Sequence, residues 1–318
     1  MRVLACHGYG NGENLAVETR PVPEPGPGEL RVKVLACGVN GSDWEFISGH
    51  PAYGWITRAF MRGRNVFGSD VVGIVDEIGE GVRGIAPGDR VLADIFGIFG
   101  GFGAFAVAKA DLWVPVPDDV NDVAAAALPQ SGTIAIEGIH DRVRPGMTVL
   151  INGGGGGSGL LAIQMAKAGG ATVWGVDTAG KAAAMTEAGA DRVLDFERED
   201  FTAQHERFDL ILDLWGTRPV RRVRAALAPG GRYMMVGGPL RRLIGVAAWG
   251  GLSSLWSDRK VGVLAVNQGP GRLVELLELV RSGKLRPVIG ECAALEDGAG
   301  AIARMGRREI AGKLVILP

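Results

Sequence analysis

A chain of 318 residues is long enough for about two domains, each with its own apolar core. With 47% hydrophobic residues and a net charge of −1, it has the composition of an ordinary globular protein. That balance weighs against a nucleic-acid or anionic-membrane surface as its main partner.

Taken in chain order, the first 20 residues, MRVLACHGYGNGENLAVETR, lack a secretory signal's basic start, long apolar core and small-residue cleavage site. The three cysteines, Cys6, Cys37 and Cys292, form no CxxC pair and outline neither a disulfide framework nor a structural zinc site. Reduced thiols in a cytoplasmic protein are the expectation. Up to about Val120, short β-like runs (LRVKVLACGV, VVGIVDEIG, DRVLADIF) alternate with the turn clusters PVPEPGPGE and APGD. Beyond Asn121 the texture changes. VAAAALPQSGTIAIEGIHDRV has helical composition, and the apolar runs TVLI, ATVWGV, RVLD, DLILDL and RYMMVGG each precede a polar or helical segment. Such alternation predicts a parallel sheet covered by helices. The stretch Leu243 to Ser257 is apolar, but its 15 residues fall short of the roughly 20 needed to span a membrane. After the helical GRLVELLELVRSG the chain closes on a strand-like GKLVILP.

Gly153 to Gly157 run unbroken between the strand-like TVLI and the helical SGLLAIQMAKAG, whose Leu161, Met165 and Ala168 share a face. Five glycines so placed form a strand-to-helix turn rather than a linker. Gly154, Gly156 and Gly159 satisfy G-x-G-x-x-G: the first for the tight turn, the second for close approach of a pyrophosphate, the third for helix–strand packing. The helix N-terminus, beginning about Gly157, would supply N–H groups and the positive dipole end to phosphates, and Ser158 could add its hydroxyl as a donor to the pyrophosphate. Asp177 ends the next strand 18 residues beyond Gly159, where a carboxylate accepts hydrogen bonds from an adenosine ribose. Taken alone, the turn also suits a Rossmann-like methyltransferase binding S-adenosylmethionine, but the β-rich first ~120 residues are foreign to that group.

The segments PVPEPGPGELRVKVLACGVNGSDW, FGSDVVGIVDEIGEGVRGIAPGDRV and TVLINGGGGGSGLLAIQMAKAGGATVWGVD closely resemble the medium-chain dehydrogenase/reductases. The similarity is greatest to the zinc-free quinone oxidoreductase, or zeta-crystallin-like, branch. GADRVLDFEREDF and the terminal GKLVILP extend it over essentially the whole chain. The resemblance implies an α/β fold: a GroES-like β-rich catalytic domain at 1–121 and 285–318, and a doubly wound Rossmann domain at 122–284. It also implies an active site in the cleft between them and a homodimer made by pairing Rossmann edge strands, with Arg259 to Val266 as the candidate edge. Where zinc-dependent members carry Cys, His and a third ligand, this chain has Asn40, Ser69 and Gln130, none of them good ligands for Zn²⁺. The structural four-cysteine lobe is missing too. Without zinc, alcohol oxidation loses the device that lowers the alcohol's pKa.

Hydride delivery to an electrophile that needs little activation remains, and a quinone or an α,β-unsaturated carbonyl fits. Asn40, matching the family's cofactor-facing Asn, could hold the nicotinamide ribose or the substrate oxygen, and Tyr53 could donate the proton. Trp44 and Phe99 could line a pocket, though core packing is the simpler role for each. Thr133 (one place early relative to the Thr of the family's GLTA, since this chain reads GTIA), Gly237 and Lys313 are further expected cofactor contacts. For the cofactor itself the residues pull two ways. Asp177 favours NADH, whereas Lys181, in the TAGK loop, sits where the family pairs a lysine with the 2′-phosphate of NADPH. NADPH is the expectation, with NADH possible. Two other readings share this framework: an enoyl reductase dedicated to one biosynthetic pathway, and a catalytically weak cofactor-binding protein of crystallin-like or regulatory type. Nucleic acid is not an expected partner, since no Lys/Arg stripe stands out.

Overall fold

The computed structural model describes residues 1–49, 64–250, 256–267 and 269–318. The chain divides into two compact units, Met1–Thr133 with Gln268–Pro318, and Ile134–Asn267.

In the first unit β1 (Arg2–Cys6) pairs antiparallel with β2 (Leu15–Thr19). The spine is β3 (Glu29–Val39), which pairs antiparallel with β4 (Asp70–Ile78) on one side. Its first half alternates buried Leu30, Val32 and Val34 with the more exposed Arg31 and Lys33, the period-2 signature of a strand with one wet face. From Ala36 to Val39 every residue is buried. Gly38 explains the change: a Cβ there would lie 2.2 Å from the Ala126 carbonyl oxygen, so a helix lies directly on the strand. The sheet continues through β5 (Arg90–Asp94) to β7 (Val114–Pro115), while β6 (Phe105–Lys109) pairs with β3.

Three helices belong to this stretch: α1 (Gly41–Ser48), α2 (Asp122–Ala126) and α3 (Pro129–Ala135). The helical composition from Val123 onward thus resolves into two helices, divided at Pro129, whose missing N–H suits a helix start. Because α2 packs on β3 and β4, the first unit runs past 121 to Thr133.

The second unit is a six-stranded sheet. Its strands are β8 (Thr148–Asn152), β9 (Thr172–Asp177), β10 (Arg192–Asp195), β11 (Phe208–Asp213), β12 (Leu227–Met235) and β13 (Lys260–Val263). All neighbours are parallel, in the order β10-β9-β8-β11-β12-β13. This is the doubly wound order, in which direction reverses between β8 and β11 and ligands bind beyond the strand ends. Helix α4 (Gly157–Ala168) buries Leu160, Leu161, Ile163 and Met165, whereas Ala168, expected on the same face, is exposed. The reversal point is locked by Asp213, fully buried, which accepts from Asn152 Nδ2 at 2.6 Å and Tyr233 Oη at 2.7 Å. One side chain thereby ties β8, β11 and β12. At the far end β13 is shorter than the anticipated Arg259–Val266 and, among the described residues, pairs only with β12.

The chain then returns to the first unit. Helix α5 (Pro270–Arg281) buries Leu273, Leu276 and Leu277 and packs on β5 and β7, which is why this unit resumes well before 285. It continues as β14 (Ile289–Ala294), α6 (Gly298–Gly306) and β15 (Lys313–Leu317), and β15 pairs antiparallel with β3. Among the described residues no helix is long and apolar enough to cross a membrane.

Candidate functional site

Each unit contributes one cluster. In the first, Lys313 opens β15 and is 3% exposed, beside Asn40 at 6% and Asp70 at 0%. Its ammonium donates to Asn40 Oδ1 at 2.6 Å, Asp70 Oδ2 at 2.9 Å and Ser131 Oγ at 3.1 Å. A lysine has three donors and no acceptor, so all are used within the unit. Burial pushes the Asp70 carboxyl up from its ordinary range, and the neighbouring Lys313 charge opposes the rise.

Asn40 is held from both ends. Its backbone N–H donates to Asp43 Oδ2 at 2.8 Å, and Asp43 Oδ1 accepts from Gly68 N at 3.0 Å, which fixes the start of α1. The side-chain Nδ2 is buried without a hydrogen-bond partner. It lies close enough to Asp70 to help stabilise that carboxylate, yet not in hydrogen-bonding geometry.

Ser69 and Gln130 are also brought together: Gln130 Nε2 donates to Ser69 Oγ at 2.7 Å, and Ser42 Oγ donates to Gln130 Oε1 at 3.2 Å. Around them stand neutral amides and hydroxyls that satisfy one another, next to a buried ammonium. That donor set does not fit Zn²⁺, which takes thiolate, imidazole or carboxylate. Thr133 is buried in α3. Phe99 takes the core role: it is 4% exposed, at φ +62°, with its ring centroid 5.5 Å from Phe46 and 5.7 Å from Phe67. Trp44 packs over Gly306, where a Cβ would meet its ring at 2.3 Å. Tyr53 lies outside the described residues.

In the second unit the glycine run joins β8 to α4 as expected, with one change of roles. The left-handed residue is Gly153, at φ +83°, and not Gly154. Gly154 is required by packing, since a Cβ would lie 2.8 Å from Met185 Sδ. At Gly159 a Cβ would come within 2.3 Å of the Gly153 oxygen, which is the close helix–strand packing anticipated. Gly156, the N-cap of α4, is different: a Cβ there meets only the Gly153 oxygen, at 3.6 Å. The protein itself leaves that space open. Gly157 and Ser158 form the first turn of α4, half-buried, with N–H groups free of helical partners.

Asp177 and Lys181, 6% and 8% exposed, form an ion pair at 3.4 Å. The carboxylate also accepts from Gly155 N at 3.0 Å and Thr178 N at 2.9 Å. Both residues therefore border the glycine turn, and each partly neutralises the other. Gly237, after β12, accepts from Gly216 N at 2.9 Å. The turn, the helix N-terminus and the Asp177–Lys181 pair fit a dinucleotide's phosphates and adenosine ribose. Sequence reading missed Asp43, Asp70 and Ser131, which hold the first cluster together. The signal for Asp70 was present in FGSDVVGIV, a carboxylate at the head of an otherwise apolar strand. It also missed a gathering of charge on the second unit. Arg221, Arg224 and Arg259 line, with Val220, Ala225 and Trp249, a hollow of about 490 Å³.

The family model described as an alcohol dehydrogenase GroES-like domain matches residues 26–118, and that described as a zinc-binding dehydrogenase matches 188–316. The second match excludes Asn40, Ser69 and Gln130. Chloroplastic quinone-oxidoreductase QR1 of Triphysaria versicolor is 30% identical over 334 residues, covering 100% of this chain and 98% of that protein. Acryloyl-coenzyme A reductase of Metallosphaera sedula is 28% identical, with 93% and 94% covered. A mycobacterial protein complexed with NADPH superposes with TM-score 0.83 at 28% identity, with 100% of both chains covered.

Asp94, on β5, yields a pH prediction. Burial, reinforced by the Asp70 charge, pushes its carboxyl up to about 7, and its Oδ2 is buried without a partner. Between about pH 4 and 7 the folded state holds a proton that the unfolded chain has released. Its stabilising share is therefore full below the unfolded pKa and lost as pH rises through the folded one. Asp43 and Glu45, each pushed by burial to about 7, act in the same sense. Asp94→Asn should flatten the fall in unfolding free energy over this range and raise stability at pH 8, because the site then holds no buried charge. Urea unfolding across pH checks this; a mutant with the wild-type slope contradicts it.

Proposed function

Because the chain belongs to the medium-chain dehydrogenase/reductase family, in its quinone-oxidoreductase-like branch, we propose that it is an NAD(P)H-dependent reductase of quinones or of the C=C bond of α,β-unsaturated carbonyls. The observation that carries this reading is the donor set around Asn40. Asn40, Ser69 and Gln130 are poor metal ligands, the Asp70 carboxylate beside them is already paired with Lys313, and among the described residues one buried amide nitrogen, Asn40 Nδ2, has no hydrogen-bond partner. A bound nicotinamide dinucleotide supplies the hydride. Gly156 and the first turn of α4 would hold its pyrophosphate, with Asp177 and Lys181 beside its adenosine end.

An enone accepts hydride at its β-carbon, and the electron pair of the C=C bond shifts toward oxygen as an enolate. Asn40 Nδ2–H donates to that oxygen as its charge grows. Water or Tyr53 then protonates the α-carbon, giving the saturated ketone and the oxidised cofactor. A secondary alcohol would have to lose a proton as it gives up hydride, and neutral Asn40, Ser69 and Gln130 cannot stabilise that alkoxide. The acryloyl-coenzyme A reductase relative supports the second reading, an enoyl reductase dedicated to one pathway intermediate, which uses the same residues. The unpaired cysteines fit the reducing cytoplasm.

Dialysed against a chelator, the protein should still oxidise NAD(P)H in the presence of a small quinone or enone and leave simple alcohols untouched. Asn40→Ala should lower turnover by about 10²–10³, the usual loss for one preorganised donor. Deuteride from labelled cofactor should appear at the β-carbon of the product. Alcohol oxidation by metal-free protein, with quinones and enones inert, would overturn the reading.

NADPH is the proposed cofactor, in line with the NADPH-bound structural neighbour. Lys181→Ala should raise KM for NADPH about 10- to 150-fold more than for NADH, as expected of a charge-assisted contact. Gly156→Ala should fold normally, because its Cβ has room, yet weaken both dinucleotides. A wild type that prefers NADH tenfold or more would show that Asp177 dominates over Lys181.

We also propose a homodimer. Among the described residues β13 is the last strand in the sheet order, with Val263 exposed, and terminal strands are ordinarily covered. Light scattering should give twice the chain mass at micromolar concentration; a monomer there rules out edge pairing.

A further inference from the structure

We infer that Lys313 is a positioning residue for Asn40: its ammonium fixes the amide's orientation and polarises it, so that Asn40 serves as a hydrogen-bond donor only. This rests on the reading of Asn40 as donor to the substrate oxygen. An amide side chain has two ends, and which one faces a ligand is ordinarily ambiguous. Here chemistry removes the ambiguity. An ammonium only donates, so the Asn40 atom 2.6 Å from Lys313 Nζ must be its oxygen. Nδ2 is then the end turned away from the ammonium; it lies near the Asp70 carboxylate but, among the described residues, is buried without a hydrogen-bond partner. The Lys313 charge at Oδ1 draws electron density from the amide nitrogen and makes its N–H a stronger donor, as in any chain of hydrogen bonds.

Asp70 and Ser131 hold Lys313 itself, at 2.9 and 3.1 Å, and Asp43 holds the Asn40 backbone at 2.8 Å. Neither Asn40 nor Lys313 can turn without leaving a buried charge or amide unsatisfied. A positive charge thus acts on the substrate oxygen through a neutral side chain, and hydride transfer gains electrostatic assistance without a metal.

The test is a double-mutant cycle. Lys313→Met alone would strand the Asp70 charge in the interior and strongly destabilise the fold. The cycle is therefore run in Lys313→Met/Asp70→Asn, which removes both charges together, with folding verified by circular dichroism. Turnover with a saturating enone should fall roughly 10- to 100-fold, the loss typical when a group orienting a reacting residue is removed. The dissociation constant for the dinucleotide, measured by fluorescence without substrate, should stay within about threefold. Adding Asn40→Ala to that background should cost little more, because both changes disable one device. If the two losses multiply, Lys313 acts independently and the inference fails while the donor role of Asn40 stands. If dinucleotide affinity falls and turnover does not, Lys313 is a cofactor ligand instead. If Asn40→Ala alone is silent in the wild type, the donor reading fails and the inference with it.

Discussion

The Lys313–Asp70 contact is the constraint on which the first unit's chemistry depends. Two opposite charges, 3% and 0% exposed, meet at 2.9 Å in the interior, where removing either would strand the other at a cost of several kcal/mol. The pair joins the last strand to β4, and through Ser131 and the Gln130 backbone N–H, 3.3 Å from Asp70 Oδ2, it reaches α3. Asn40 is drawn in by the third lysine donor. A buried ion pair of this kind is poor evidence of stability, since well-packed apolar residues serve as well or better. Its value lies in orientation: it makes one geometry of Asn40 far cheaper than any other.

The second unit works differently. Its site is backbone rather than side chain, set by the topological reversal between β8 and β11 and by glycines that let a helix approach a strand. Asp213 secures that reversal from below, with Asn152 and Tyr233 as partners. Charge enters only at the rim, where Asp177 and Lys181 offset each other. The two units thus illustrate two ways of preparing for a ligand: orphaned N–H groups at a helix end, and an orphaned amide held by a lysine.

Much of this was legible in the residues. Each apolar run read as a strand became one, because period-2 alternation and short β-branched runs report local geometry directly. The glycine turn was legible because strand, turn and helix are contiguous. Most of the misses depend on residues distant in sequence. The unit boundary lies at 133 rather than 121 because α2 packs on β3, and no local composition reveals where a helix docks. The role of Gly153 was assigned to Gly154, since five glycines look alike until a backbone angle distinguishes them. The contact of Lys313 with Asn40 was not legible, because only the sheet pairing of β15 with β3 brings it to a residue 273 positions earlier.

That last separation bears on how the molecule is made. The first unit is assembled from the two ends of the chain, whereas the second is one continuous stretch, Ile134–Asn267. A ribosome working from the N-terminus therefore delivers every residue of the parallel sheet before β15 exists. Throughout that interval Asp70 has no lysine to meet, and β3 lacks the neighbour that β15 later provides. Vectorial synthesis thus gives the parallel-sheet unit a head start, and the unit that holds Asn40 is completed only when β15 emerges.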